Sequence, residues 1–440
     1  MSTTSDKARK LIDLYTNGKS FGQVLEGLHA KDPAMLPPVL DLPGMLSWQE
    51  AAKVKRRALL EQHTGVSLAH LAGATPMPEA ASFKGNIENF IGCTQVPTGL
   101  VGPLLINGTL ASGDFYLPLA TTEGALVASY NRGAKATRLC GGITSVCTTE
   151  GVQRTPVWKF ASLSDVGTFV HWFLHHFADF REVVSQHSQY ARLEDVRINM
   201  EGNQVLTIFE YVCGEAAGQN MATICTDAVC RYVLEHSPIA PVQWFIESNY
   251  SGDKKATAVS FTNVRGKKVT AEALLTKQVV RDVLNTTPEK IAAYWQSSIV
   301  AASQSGSIGI QGHFANGLTA LFLATGQDVA CVSEAHIGIT RLEVNPAGDL
   351  YATVTLPALV VGTVGGGTHL PTQAECLALM GCQGSGSARK LAEICGALAL
   401  AGEISIAAAL ACGEFSKAHR LLRKRSPTGQ GATPQAVNVT

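Results

Sequence analysis

"VRINMEGNQVLTIFEYV", residues 196–212, reads as two short strands around a turn at Glu201-Gly202-Asn203. Upstream, "DVGTFVHWFLHHFADFREVV" (165–184) carries the 3.6-residue period of an amphipathic helix. Downstream, a second helix is expected to start near Gly218 and run through "MATICTDAVCRYVLEH" (221–236). Helix, hairpin and helix over residues 147–245 predict a compact α+β module inserted into a larger domain. The two parts of that larger domain are residues 76–146, rich in glycine and apolar residues, and 246–424. Residues 1–75 predict a separate unit of short amphipathic helices. There Ser47 and Glu50 have capping-box spacing, and Gly65 follows "AAKVKRRALLEQHT" as a stop signal. The tail, residues 425–440, is expected to be disordered.

Composition bounds the function. The 440 residues are 46% hydrophobic and 16% charged, which indicates a globular chain with more than one domain. A net charge of zero leaves no electrostatic footprint for nucleic acid or a membrane surface. The N-terminal "MSTTSDKARKLIDLY" lacks the apolar core of a signal peptide. "GALALAGEISIAAALAC" (396–412) is apolar but contains Glu403, so a packed internal helix is expected rather than a membrane span. The 11 cysteines form no Cys-x-x-Cys pair, as in a chain kept reduced in the cytoplasm.

Several charges stand alone. Glu123 lies in "LPLATTEGALVAS" (117–129), a stretch that reads as interior. Asp328 is the sole charged residue between Ile291 and Ser333. Asp253, Lys254 and Lys255 run together in "SNYSGDKKATAVSF" (248–261). Taken singly, each suits a cap or a solvated turn. Together, two uncompensated carboxylates and a lysine pair would resolve one another's burial if they met in space. Such a lysine suits an oxyanion, and such a carboxyl suits a transferable proton. The glycines of "GTVGGGT" (362–368) would let backbone amides approach a phosphate or a flat ring. No G-x-G-x-x-G follows a strand, which disfavours a Rossmann site. His171, His175 and His176 have helical spacing but no accompanying ligand set, so they read as a solvated helix face and no metal is expected.

The ordered motifs "ENFIG" (88–92), "VPTGLVGP" (96–103), "TTEGALVASYNRG" (121–133), "GQNM" (218–221), "GDKK" (252–255), "GQD" (326–328) and "GTVGGGT" (362–368) resemble 3-hydroxy-3-methylglutaryl-CoA (HMG-CoA) reductases. The likeness is to the class I branch in a form without the membrane domain, and it spans about residues 57 to 422. It implies an α+β fold with a helical N-terminal domain, a large domain and an inserted ferredoxin-like cofactor domain. It also implies four-electron reduction of an acyl-CoA thioester to the alcohol with release of coenzyme A. The implied catalytic residues are Glu123 as proton donor, Lys254 as oxyanion stabiliser, Asp328 bridging the two, and His419 in "FSKAHRLLRKR" protonating the departing thiolate. The implied substrate and CoA contacts are Ser129, Asn131, Arg132, Asp253, Lys255 and His313. The implied cofactor positions are Ser188, Gln189, Gly218, Asn220, Gly365, Gly366 and Gly367. The reductant is expected to be NADPH, with NADH the alternative because Gln189 stands where many members carry arginine and Arg192 is close by. The active site is expected at the interface of at least a homodimer.

Three departures bear on the substrate. An arginine expected shortly after the Gly-Gly pair is Val146 in "GGITSVC", a serine before the motif aspartate is Glu247, and "AAYWQSSIVAASQ" lacks an expected lysine. Losing two cations and gaining a carboxylate should disfavour a dianionic glutaryl chain. The sequence therefore leaves two substrates open, HMG-CoA and an acyl thioester without the distal carboxylate. A non-catalytic CoA or nucleotide binder is disfavoured by the retention of all four catalytic residue types. A thioester hydrolase or acyltransferase is disfavoured because no nucleophile has a paired histidine.

Overall fold

The computed structural model describes residues 12, 13, 15, 16, 18–263 and 265–413. Among them, ten strands join in one sheet: β1 Thr98–Gly108, β2 Ser112–Ala120, β3 Ile143–Arg154, β4 Val157–Lys159, β5 Arg192–Glu201, β6 Gln204–Val212, β7 Gln243–Phe245, β8 Gly266–Leu275, β9 Ile339–Val344 and β10 Leu350–Leu359. The α-helices described are α1 Phe21–Leu28, α2 Glu50–Thr64, α3 Leu126–Arg138, α4 Leu163–His175, α5 Phe177–His187, α6 Gln219–His236, α7 Val259–Thr262, α8 Lys277–Leu284, α9 Pro288–Ser305, α10 Phe314–Thr325, α11 Val332–Ala335, α12 Pro371–Leu379 and α13 Ala388–Ala411.

The strand order β7-β4-β6-β3-β8-β10-β9 makes β3 the hinge of the molecule. From Thr144 to Gly151 it pairs antiparallel with β8, and from Val152 to Arg154 it pairs with β6. Residue 147, the expected start of the inserted module, thus lies inside a continuous strand. Two apolar cores flank the crossing. One gathers β1, β2, β8, β10 and α13, and the other gathers Val152, Trp158, Phe169, Phe180, Phe209 and Val229 with their neighbours. Exclusion of water from these apolar faces is what holds each layer together.

The hairpin read at 196–212 is present as β5 and β6 in antiparallel register, with Gly202 at positive φ in its turn. Helix α6 begins where glycine was expected to open it, with Gly218 at φ 81° as its N-cap. The upstream helical stretch differs from expectation because it is two helices, α4 and α5, broken at His176, whose ring stacks on Trp172. The capping box expected at Ser47 is also a correction. Helix α2 starts at Glu50 with Gln49 as an N-cap that makes no side-chain bond. Ser47 instead closes a turn on Gly44, and its carbonyl accepts from Arg56. Side-chain capping boxes occur at Ser20/Gln23 and Ser162/Asp165, while Gly65 does end α2 at φ 70°.

Helix α13 is the one helix among the described residues long and apolar enough to cross a membrane, and it lies in the first core. Its Glu393 accepts from the amides of Leu110 and Ala111, which anchors the β1–β2 connection. Its Glu403 accepts from the amides of Gly312 and His313 and from the Thr340 hydroxyl. Both carboxylates are buried, and burial raises their pKa against the pull of these donors. His419 and the 425–440 tail lie outside the described residues.

Candidate active site

Lys254 and Asp328 meet. The ammonium lies 2.7 Å from Asp328 Oδ2, while Asp328 Oδ1 accepts from the Ala330 amide and caps the turn that follows. Both side chains remain about half exposed in the single chain, at 43% and 48%. The hydrogen bond to Asp328 holds the Lys254 pKa above its ordinary value, against the opposing effect of desolvation. Lys254 itself has φ 53°, a left-handed conformation that a lysine adopts only where its surroundings enforce it.

Glu123 is a correction to the sequence reading. It is exposed in the loop between β2 and α3, not interior, because Ala125 at φ 70° turns the chain sharply before the helix begins. Its partner is Asn316 on the first turn of α10, and the amide of Glu123 donates to Thr121 Oγ1. His313 precedes α10 and is 7% exposed, with Nδ1 unpartnered. Burial lowers its pKa while the nearby Glu123 charge opposes that shift. Its carbonyl accepts from the buried Tyr130 hydroxyl. Gly317 and Gly402 pack so closely on the Tyr130 ring that a Cβ at either would collide with it.

Behind Lys254 lies a charge network that the sequence reading did not foresee. The Asp253 carboxylate is gripped by Arg154, at 2.9 Å, and by Arg265. Burial alone would raise the Asp253 pKa, but Arg265 and Arg154 hold it below the usual range. Glu334, wholly buried, pairs with Arg265 at 2.5 Å and accepts from the Lys254 amide at 3.2 Å. Glu334 ends the charge-free run after Asp328, a signal that was available. Arg154, at the end of β3, had no such marker.

Arg154 bears on the positive charge expected to be lost at Val146. Val146 is 5% exposed and sits in the middle of β3 opposite Thr270, within the sheet. Eight residues along the same strand, Arg154 supplies a cation next to the "GDKK" segment. Glu247 is no free repulsive charge either, since its Oε2 accepts from Arg154 at 3.2 Å and from Ser251 at 3.1 Å. Arg154 Nε is buried without a hydrogen-bond partner.

The other named positions divide. Ser129 and Arg132 both bond Ser405 of α13. Asn131 binds β1 with both ends of its amide, accepting from Gly102 and donating to the Leu100 carbonyl. Lys255 is exposed and donates to the Asp253 carbonyl. The glycine loop docks on the "GQD" turn, where Gly326 packs against Gly367 and Gln327 accepts from the Gly362 amide. On its other side, Val364 bridges to Ala216, just ahead of Gly218 and Asn220. Nothing lies within 4 Å of where a Cβ would stand on Gly365 or Gly366, although their carbonyls accept from Thr368 Oγ1 and Asn86 Nδ2. Ser188 caps the turn after α5 by accepting from Tyr190 and Ala191, and Gln189 is exposed beside it.

Comparison with known proteins shows the family. The family model described as hydroxymethylglutaryl-coenzyme A reductase matches residues 52–424. The 3-hydroxy-3-methylglutaryl-coenzyme A reductase of Aeropyrum pernix is 44% identical over 379 residues, covering 85% of this chain and 89% of that protein. That of Pyrococcus abyssi is 40% identical over 380 residues, covering 84% and 92%. Among solved structures, the class II reductase of Streptococcus pneumoniae bound to NADPH superimposes with a TM-score of 0.67. It shares 22% identity over 83% of this chain and all of that one, a likeness of fold.

Proposed function

Because the chain belongs to the hydroxymethylglutaryl-coenzyme A reductase family, we propose that it reduces HMG-CoA to mevalonate and free coenzyme A at the Lys254–Asp328 pair. That pair carries the reading: an ammonium held charged and half exposed beside Asp328 is suited to stabilise an oxyanion, with Glu123, held by Asn316, as the candidate proton donor.

The reductant is a nicotinamide dinucleotide, NADPH in preference to NADH. The residues present fit such a group. Gly365, Gly366 and Gly367 offer backbone free of side chains, next to Gly218 and Asn220 at the N-terminus of α6, where unpaired amides favour phosphate. Bound there, a reduced dinucleotide would supply one hydride, so two molecules would serve in succession with exchange between them. Lys254 polarises the thioester carbonyl and holds the oxygen's developing charge, and Glu123 gives that oxygen a proton. The hemithioacetal then returns its hydroxyl proton to the Glu123 carboxylate and collapses, the C–S bond breaks, and the sulfur takes a proton from His419, a role that rests on the family resemblance. After the second hydride reaches the aldehyde carbon, Lys254 and Glu123 act again on the alkoxide.

Arg154 favours HMG-CoA over a neutral acyl chain, since its guanidinium adds a cation beside the "GDKK" segment. Ser129, Arg132 and His313 remain the candidates for contacts with the CoA portion.

A second copy of the chain completes the site in this reading. Glu123, Lys254 and Asp328 are open in one chain, and the nearby segment 76–97 exposes Ile87 and Ile91. Eleven unpaired cysteines suit a reducing, cytoplasmic setting.

The test is an assay of HMG-CoA and neutral acyl-CoAs with NADPH and NADH, together with Lys254→Ala. Loss of an oxyanion donor should lower kcat about a hundredfold or more with the fold intact. Near-normal turnover in that variant would sink the assignment.

A further inference from the structure

We propose that the buried Arg265–Glu334 pair is a positioning device for Lys254, acting through the peptide amide of that lysine and the carboxylate of Asp253. The inference rests on the function proposed above and assigns residues to it that the family motifs do not include.

The geometry has three fixed points. Glu334 lies in α11, directly after the turn that Asp328 caps, so residues 328–335 form one short block. That block reaches Lys254 twice. Asp328 takes the ammonium at 2.7 Å, and Glu334 Oε1 takes the backbone amide at 3.2 Å. The other Glu334 oxygen is held by Arg265 Nε. The same guanidinium grips Asp253 through one terminal nitrogen and the Gln153 carbonyl, at 3.0 Å, through the other. A planar guanidinium with its donors in a rigid fork fixes directions as well as charge, which a lysine could not do. The "GDKK" turn is therefore clamped at its aspartate from one side and at its lysine amide from the other.

This clamp accounts for the left-handed Lys254 backbone. With φ at 53°, the residue turns its amide inward to Glu334 and leaves its side chain to run outward to Asp328. If the amide were released, the lysine could relax to an ordinary conformation. The ammonium would then leave the place where the substrate oxygen is to sit. Displacement by about 1 Å in such a site can lower rates by about a hundredfold.

A bland alternative is that the pair only stabilises the fold. Buried ion pairs are weak evidence for that, since well-packed apolar replacements often leave stability unchanged. The double variant Arg265→Met/Glu334→Leu separates the two roles, with Glu334→Gln alongside. The positioning role predicts a double variant that melts close to wild type, with kcat lowered about 10- to 100-fold and both KM for acyl-CoA and cofactor affinity within about threefold. Glu334→Gln keeps an oxygen for the Lys254 amide and should fall in between, a partial rescue. A folded double variant with wild-type kcat overturns the proposal. If the double variant does not fold, Glu334→Gln decides, and wild-type kcat with a lowered Tm there overturns it too. Lys254→Ala keeps the two readings apart. An inactive Lys254→Ala beside a fully active double variant sinks the clamp alone, whereas an active Lys254→Ala sinks the underlying function.

Discussion

The side-chain nitrogen of Asn316 lies 3.0 and 2.8 Å from the two carboxylate oxygens of Glu123. Glu123 is thus aimed by a neutral donor on α10 and not by the Lys254–Asp328 pair. A hydrogen bond to a charged group contributes about 1.5–3 kcal/mol, so Asn316→Leu should lower kcat by about 10- to 100-fold in steady-state assays. Asn316→Asp should be worse, because two carboxylates would face each other. Unchanged kcat in both would show that Glu123 does not need this partner.

A pH profile probes the other half of the site. The Asp328 hydrogen bond raises the Lys254 pKa, so the lysine stays charged through its ordinary titration range and loses its proton only at higher pH. Any stability this contributes is accordingly present below the ordinary lysine value and lost as pH climbs through the raised one. In Asp328→Asn the alkaline limb of kcat/KM should move to lower pH, toward that of a free lysine. An unmoved limb would assign it to another group.

Arg154 separates substrates. Arg154→Met should raise KM for HMG-CoA about 10- to 100-fold, the scale of one charge-assisted contact, and should change little for an acyl-CoA with a neutral end. Adding Val146→Arg should not restore binding, since position 146 is inside the sheet and a cation there would be buried. Equal losses on both substrates would give Arg154 a purely structural role beside Asp253.

Glu403 links stability to the same helix. Glu403→Ala strands the amides of Gly312 and His313 and the Thr340 hydroxyl, and the two buried donors, on His313 and Thr340, cost about 1–3 kcal/mol each when unpaired. A clear drop in Tm is expected by calorimetry. Burial raises the Glu403 pKa, so its titrating contribution is present below the ordinary glutamate value and lost as pH rises through the raised one. Relative to Glu403→Gln, the wild type should therefore lose stability as pH is raised across that interval. A constant difference would mean that Glu403 does not titrate there.

The legible parts of this chain were those with local causes. Alternation and a Glu-Gly-Asn turn give β5 and β6, and a positive-φ glycine opens α6. Lys254 and Asp328 were found together because charge is scarce around Asp328, so a partner from elsewhere had to exist. What could not be read depends on distant strands. Glu123 looked interior because its neighbours in sequence are apolar, yet its loop turns outward at Ala125. Arg154, eight residues beyond Val146 on the same strand, reaches Asp253, because sequence does not say which end of a long strand lies beside the "GDKK" segment. Ser47 has a capping residue's spacing, but its backbone is already committed to a turn with Gly44 and to Arg56.

Anyone wishing to transplant the part of the chain from β4 to β7 into another scaffold will meet β3 first. The strand is shared, with its opening residues sewn to β8 and its last three to β6, and Arg154 at its tip faces Asp253. Cutting at either edge of the module severs a ladder on one side or removes an arginine on the other. A chimera must therefore carry the whole of β3 together with its β8 partner. Where two parent sequences are recombined, crossovers within 143–154 should yield insoluble or inactive products more often than crossovers in the exposed loop at 237–242. Modules joined by a common strand are inherited as one piece, whatever their separate cores suggest.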